Sequence, residues 1–138
     1  PKVSKHGKML FGYAGNIGLG QLISNHFIFP QVVTASDVHS VFIPSLRTFI
    51  KDHELSPKED DEAESMLCAA GRVWTINLYD HQVLPFTMTS IGSGAGVALG
   101  SLFSSHGTIP NRVQHSIEAA CTYVTTCQLP VDVLSVKY

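Results

Sequence analysis

The chain has 138 residues, of which 44 % are hydrophobic and 14 % charged, and its net charge is −2 with histidine neutral. That length and apolar content suit one domain, residues 1–138, built around one core. The slightly acidic balance, with no basic stripe and no interleaving of aromatic and basic residues, excludes a nucleic-acid binder.

The apolar runs are too short to span a bilayer, and no charged n-region followed by an apolar stretch opens the sequence. Neither a membrane nor a secretory signal is therefore expected. Cys68, Cys121 and Cys127 are an odd number without metal-ligand spacing. They suit a reducing, cytoplasmic compartment better than a disulfide framework. A surface this poor in charge points to partial coverage by a partner, and so to a homo-oligomer.

In chain order, residues 8–15 are short and mostly apolar, with two glycines and two aromatics, and read as a buried strand ending in a turn. In residues 16–27, Leu19, Leu22, Ile23, His26 and Phe27 fall on one face of a helix. Gly18 and Gly20 weaken that helix by about 1 kcal/mol each against alanine. Phe29-Pro30 breaks it, and Ser36-Asp37 offers the N-cap of a second. There Val38, Val41, Phe42, Ser45, Leu46, Phe49 and Ile50 repeat at three and four residues, and Pro44, off the stripe, should kink the helix without abolishing it. Residues 54–64 are a polar, mostly acidic run that reads as a solvated loop.

Residues 65–70 and 73–79 read as a hairpin turning at Gly71. Val73, Thr75, Asn77 and Tyr79 face one way, and Trp74, Ile76 and Leu78 face the core. After a turn at Asp80-His81, residues 83–90 read as a strand made irregular by Pro85. A third helix follows Ile91-Gly-Ser-Gly-Ala-Gly96, with Ala95, Ala98, Leu99 and Leu102 on a face small enough for close approach to a neighbour. His106-Gly107 ends it, and Thr108 and Pro110 start a fourth whose stripe is Val113, Ile117, Ala120, Cys121 and Val124. Residues 131–136 read as a closing strand. Consecutive strands separated from consecutive helices imply segregated layers, not alternating βαβ units.

Pro1-Lys-Val-Ser-Lys5 and Leu10-Phe-Gly-Tyr-Ala-Gly15 resemble the lysine-valine strand and the Gly-aromatic-Ala-Gly turn of proteasome β-type subunits, most closely in their HslV-like form. The hairpin at 65–79, the Gly-Ser-Gly before a small-residue helix, and the helix through residues 117–126 follow in the same order. The resemblance implies an α+β fold, a four-layer αββα sandwich of antiparallel sheets flanked by helix pairs, truncated at its N-terminus. It implies a threonine-type peptidase of the N-terminal nucleophile hydrolase class, in which a terminal threonine attacks and its own α-amine is the base. Residue by residue, the catalytic lysine falls on Lys2, the Gly-Ser-Gly serine on Ser93, a hydroxyl late in the fourth helix on Thr126, and the oxyanion glycine on Gly15. The partners it implies are further copies of the chain in a ring and an ATPase.

The resemblance breaks at the front. The family's first strands, with the threonine and an early aspartate, would precede Lys2, and the sequence given opens at Pro1. The aspartate that precedes the fourth-helix hydroxyl in many members is also unmatched around residues 121–123. The expectation is a subunit non-catalytic as given, acting by oligomeric assembly or partner binding. The alternative is part of an active peptidase whose nucleophile lies outside these residues.

Plainer roles stand beside these. Lys2 reads more simply as a solvated terminal lysine, and Ser93 as the N-cap of the third helix, a role compatible with the first. Gly92 to Gly96 lacks the Lys-Ser/Thr ending of a phosphate loop. The seven histidines have no metal-ligand pattern, and His26 reads as a core residue. Cys121 and Cys127 read as lying on different faces of one helix, Cys121 as a small apolar filler. No cofactor and no metal are expected, and Pro1 has no neighbours that would make its secondary amine a catalyst.

Overall fold

The computed structural model describes residues 1–55, 58 and 63–137. Five antiparallel strands form one sheet in chain order: β1 Val3–His6, β2 Met9–Gly15, β3 Ala63–Ala69, β4 Arg72–Asn77 and β5 Val83–Phe86. Between β2 and β3 run α1 (Ile17–His26), α2 (Ala35–Asp37), a π-helical stretch Val38–Phe42 and α3 (Ile43–Asp52). After β5 come α4 (Ala95–Ser104) and α5 (Ile109–Tyr123). This is an α+β fold, consistent with a truncated αββα sandwich of which one sheet is described.

Alternation along the strands divides the sheet into two unlike faces. Met9, Phe11, Tyr13, Ala63, Ser65, Leu67, Ala69, Trp74 and Ile76 are buried on one face, beneath α1 and α3. Ser65, the polar member, is satisfied by donating its hydroxyl to the Ile76 carbonyl at 3.0 Å, and Trp74 Nε1–H donates to the Ala69 carbonyl at 3.1 Å. The opposite face carries Leu10, Gly12, Met66, Cys68, Val73 and Thr75 in facing pairs, ending in the exposed Leu84 and Phe86 on β5. The main core includes no residue of α4 or α5.

The 70–71 hairpin forms as expected, with Ala70 and Gly71 both at positive φ (51° and 70°), the backbone of a tight primed turn. The first helix also forms, capped by Asn16, whose side chain accepts from Leu19 N–H at 3.0 Å. Leu19, Ile23 and Phe27 are buried, but His26 is exposed, correcting its assignment to the core. Gly20 proves necessary, because a Cβ there would fall on the Tyr13 ring, so its missing side chain lets α1 lie on β2.

The second helix begins earlier than expected. Thr34, not Ser36-Asp37, is the N-cap: its hydroxyl accepts from Asp37 N–H at 3.3 Å. Asp37 closes a capping box, its carboxylate accepting from Thr34 N–H at 2.9 Å and Val33 N–H at 3.0 Å. Those donors hold its carboxyl below the usual carboxylate range. Pro44 does not simply kink the helix; the turn before it widens into the π form, with Ile43 N–H bonding back to the Val38 carbonyl. The buried residues then fall at Val38, Phe42, Leu46 and Ile50. A spacing of four drifts around an α-helix of 3.6 residues per turn, and the wider turn takes up part of that drift. Val41 is left exposed and Ile43 takes a place inside.

Three further expectations are corrected. The strand at 83–90 is shorter, ending at Phe86. Residues 131–136 form no strand, having no strand partner for their backbone groups. Cys127 and Thr126 lie beyond α5, which ends at Tyr123, so Cys121 and Cys127 do not share a helix. The loop expected at 54–64 falls mostly on residues 56, 57 and 59–62, which lie outside the described residues, and Glu64 belongs to β3.

Candidate functional site

Two of the four candidate residues meet. Ser93, in the turn leading to α4, and Thr126, in the turn leaving α5, place their hydroxyls 2.6 Å apart across 33 residues of sequence. Ser93 is therefore not the cap of α4: that position is Gly94, with no side-chain cap. Cys127 stands behind the pair, its sulfur 4.0 Å from Ser93 Oγ.

The packing beneath explains why the turn is glycine-rich. A Cβ on Gly94 would lie 2.6 Å from Cys127 Sγ and 3.0 Å from Ala120 Cβ, so α4 can start against the end of α5 only without a side chain there. Gly92 sits at φ +96°, where other residues are strained, and its Cα side looks onto Ala14 Cβ of β2. Its N–H donates to Glu64 Oε2 at 3.1 Å. The Ser93 turn is thus clamped between the sheet end (Ala14, Glu64) and the end of α5 with the turn that follows it (Ala120, Cys127).

Gly15 closes β2 at φ 84°, one residue beyond Ala14 and opposite Ala63 in the register. It lies at the same end of the sheet as the Ser93 turn. Lys2 is exposed just ahead of β1, its carbonyl accepting from Tyr13 N–H at 3.1 Å, and no described contact joins its side chain to Ser93 or Thr126. Glu64 and Cys127 were missed from sequence. Glu64 looked like the last member of an acidic loop, and only its pairing opposite Ala14 reveals it as a strand residue.

Chemically, the described pair offers two exposed hydroxyls able to pass a proton between them or to hold an amine or water. Among the described residues no group of three or more His, Cys, Asp or Glu side chains converges as metal ligands, and no helix is long and apolar enough to cross a membrane.

A β-hairpin, a helix pair, three more strands and a second helix pair define a proteasome/HslV-like fold. The chain is similar over its whole length to Thiobacillus denitrificans BPH in complex with epoxomicin, with a TM-score of 0.79, 17 % identity and 81 % of that chain covered. A second structure of Thiobacillus denitrificans BPH aligns with 94 % of this chain and 75 % of its own, at TM-score 0.73 and 18 % identity. The eukaryotic HslV of Trypanosoma brucei aligns at TM-score 0.60 and 15 % identity, over 92 % of this chain and 75 % of its own. No protein-family model and no curated protein matches the sequence.

Proposed function

We propose that this chain is a proteasome/HslV-like subunit that works in an oligomeric assembly, and that residues 1–138 by themselves are non-catalytic. The observation that carries this reading is the uncovered apolar surface. Leu84 and Phe86 lie exposed on the open sheet face, and Phe103 and Tyr123 of the helix pair are each 79 % exposed. A monomer gains little by leaving such a surface in water. Copies of the chain, a ring of them, or an ATPase would cover it, and a cytoplasmic setting suits the free cysteines.

A second reading is favoured by one specific contact, the Ser93–Thr126 hydroxyl pair. Such a pair is what remains useful if these residues form the supporting wall of an active threonine-type peptidase, with Gly15 at the same sheet end, Lys2 ahead of β1, and the attacking threonine supplied from outside the 138 residues. Intact mass and N-terminal sequencing of natively expressed protein, with an epoxomicin binding assay, separate the two. A chain opening at Pro1 that ignores epoxomicin supports the non-catalytic subunit. A heavier chain opening with threonine, and holding epoxomicin until Ser93→Ala is introduced, establishes the peptidase instead.

A further inference from the structure

Away from the Ser93 turn, a cleft of about 370 Å³ opens between the helix of residues 38–52 and the turn joining β4 to β5. Its walls are His39, Ile43, Pro44 and Arg47 on the helix, and His81 and Val83 across from them. The π-helical turn brings His39 onto the same wall as Arg47, eight residues later. Arg47 has no hydrogen-bond or ion-pair partner among the described residues. Its five donors therefore face solvent at the mouth of a concave site.

His81 is held there at a conformational cost. It adopts φ 61°, a left-handed conformation uncommon for any residue but glycine. The turn is fixed around Asn77, whose carbonyl accepts from His81 N–H at 2.8 Å and whose side chain accepts from Tyr79 N–H at 2.8 Å. Asp80 then accepts from Gln82 N–H at 2.9 Å. Backbone strain maintained by surrounding bonds is characteristic of binding and catalytic positions. His81 Nε2 is shut away from solvent without a partner. A bare lone pair is tolerated there better than an unbonded N–H, which puts the proton of the neutral ring on Nδ1 and makes that nitrogen a donor.

We propose that this cleft is an anion-binding site for a small oxyanion, a phosphate or a carboxylate group, gripped by the Arg47 guanidinium and by the His39 and His81 imidazoles. The volume sits at the small end of ligand pockets, which fits a compact group and not an extended one. Arginine's planar fork matches either oxyanion bidentately. Asp80 is the acidic neighbour that opposes binding. Arg47 outweighs it at the His81 ring: burial first and Arg47's charge second lower the His81 pKa, and Asp80 only partly offsets them. The site is independent of the assembly proposed above, since neither Ser93 nor the open sheet face takes part.

The test is titration of the whole protein with sodium phosphate and, separately, sodium acetate, at constant ionic strength made up with chloride. Imidazole nitrogen resonances and backbone amides are followed by NMR. The expected result is a saturable shift confined to residues 39–47 and 79–83, with the His81 titration midpoint moving upward as the anion stabilises the imidazolium. Arg47→Gln, at an exposed position that does not threaten folding, should weaken binding about tenfold or more. Saturation by phosphate alone assigns a phosphate ligand, and by acetate alone a carboxylate; either supports the site. A linear drift like that in chloride, or saturation that survives in Arg47→Gln, overturns it.

Discussion

Gly94 shows how little room the candidate site leaves. With a Cβ at 2.6 Å from the Cys127 sulfur, Gly94→Ala should lower stability by about 1–3 kcal/mol, as overpacked positions do. Cys127→Ala in the same chain should return part of that loss, because the nearest clash is with the sulfur; urea denaturation of the two single variants and the double measures it. Equal losses in the single and the double variant would mean that the contact with Ala120 dominates. The histidines act through pH. Burial lowers the pKa of His6, which stacks on Phe29 at 3.6 Å, and burial with Arg47's charge lowers that of His81. A base whose folded pKa lies below its unfolded value lets the unfolded chain take up protons first. Stability should thus be full above the ordinary histidine pKa of about 6.5 and fall as pH drops through the folded values. Urea midpoints at a series of pH values check this, and His6→Gln should flatten the profile.

At the scale of elements, the helix from Thr34 to Asp52 teaches most about what sequence reveals. Its existence and its length follow from the repeat of apolar residues, and Pro44 was visible as the disturbance. The form of the disturbance was not, because a proline within a helix can be absorbed by a kink or by a wider turn, and the choice depends on which residues the neighbouring Phe27 and Phe29 rings receive. The cap went to Thr34 because that residue's hydroxyl and Asp37's carboxylate can answer each other's backbone. Asp37→Ala should therefore weaken the helix start and lower the melting temperature near neutral pH. Since the folded pKa of Asp37 is depressed, its contribution is present above the unfolded pKa and lost as pH falls through the folded one. Melting curves of wild type and variant should converge in acid, and an undiminished gap there would deny the carboxylate its role. Gly20→Ala is the stronger perturbation. The added methyl meets the buried Tyr13 ring directly, so α1 must lift from β2, and a loss of about 1–3 kcal/mol is expected on thermal unfolding.

For the whole molecule, order of elements was readable where partners lie nearby in the sequence, as in the 70–71 hairpin and the α4–α5 pair. Distant pairings were not. Residues 131–136 alternate like a strand, yet a strand exists only where a second edge receives it, and periodicity says nothing about edges. The same limit hides the Ser93–Thr126 contact: only the family resemblance links two residues 33 apart, and the apolar period of α5 gives no sign that the helix stops at Tyr123, short of Thr126. The uncovered apolar surface, on the sheet face and on the helix pair alike, makes its own demand at this scale. Sedimentation of the purified chain at micromolar concentration should show self-association, and Phe103→Glu or Tyr123→Glu, changing side chains 79 % exposed, should raise the monomer fraction without unfolding the protein. A monomer across the whole concentration range would remove the case for assembly through this surface.

Pro85 restricts how such an association can be built. Asn77 N–H donates to the Gln82 carbonyl at 3.0 Å, which sets the phase of the last ladder: Leu84 and Phe86 bond inward to β4, and Val83 and Pro85 turn their backbones outward. Proline has no N–H, so the outer rim of β5 presents a single donor, at Val83, where an incoming strand needs a row of them. Extension of the sheet from one molecule to the next is therefore blocked on that side. Copies meeting at that rim would therefore have to do so side chain on side chain, and any strand-to-strand joining of two sheets falls to the opposite edge, β1.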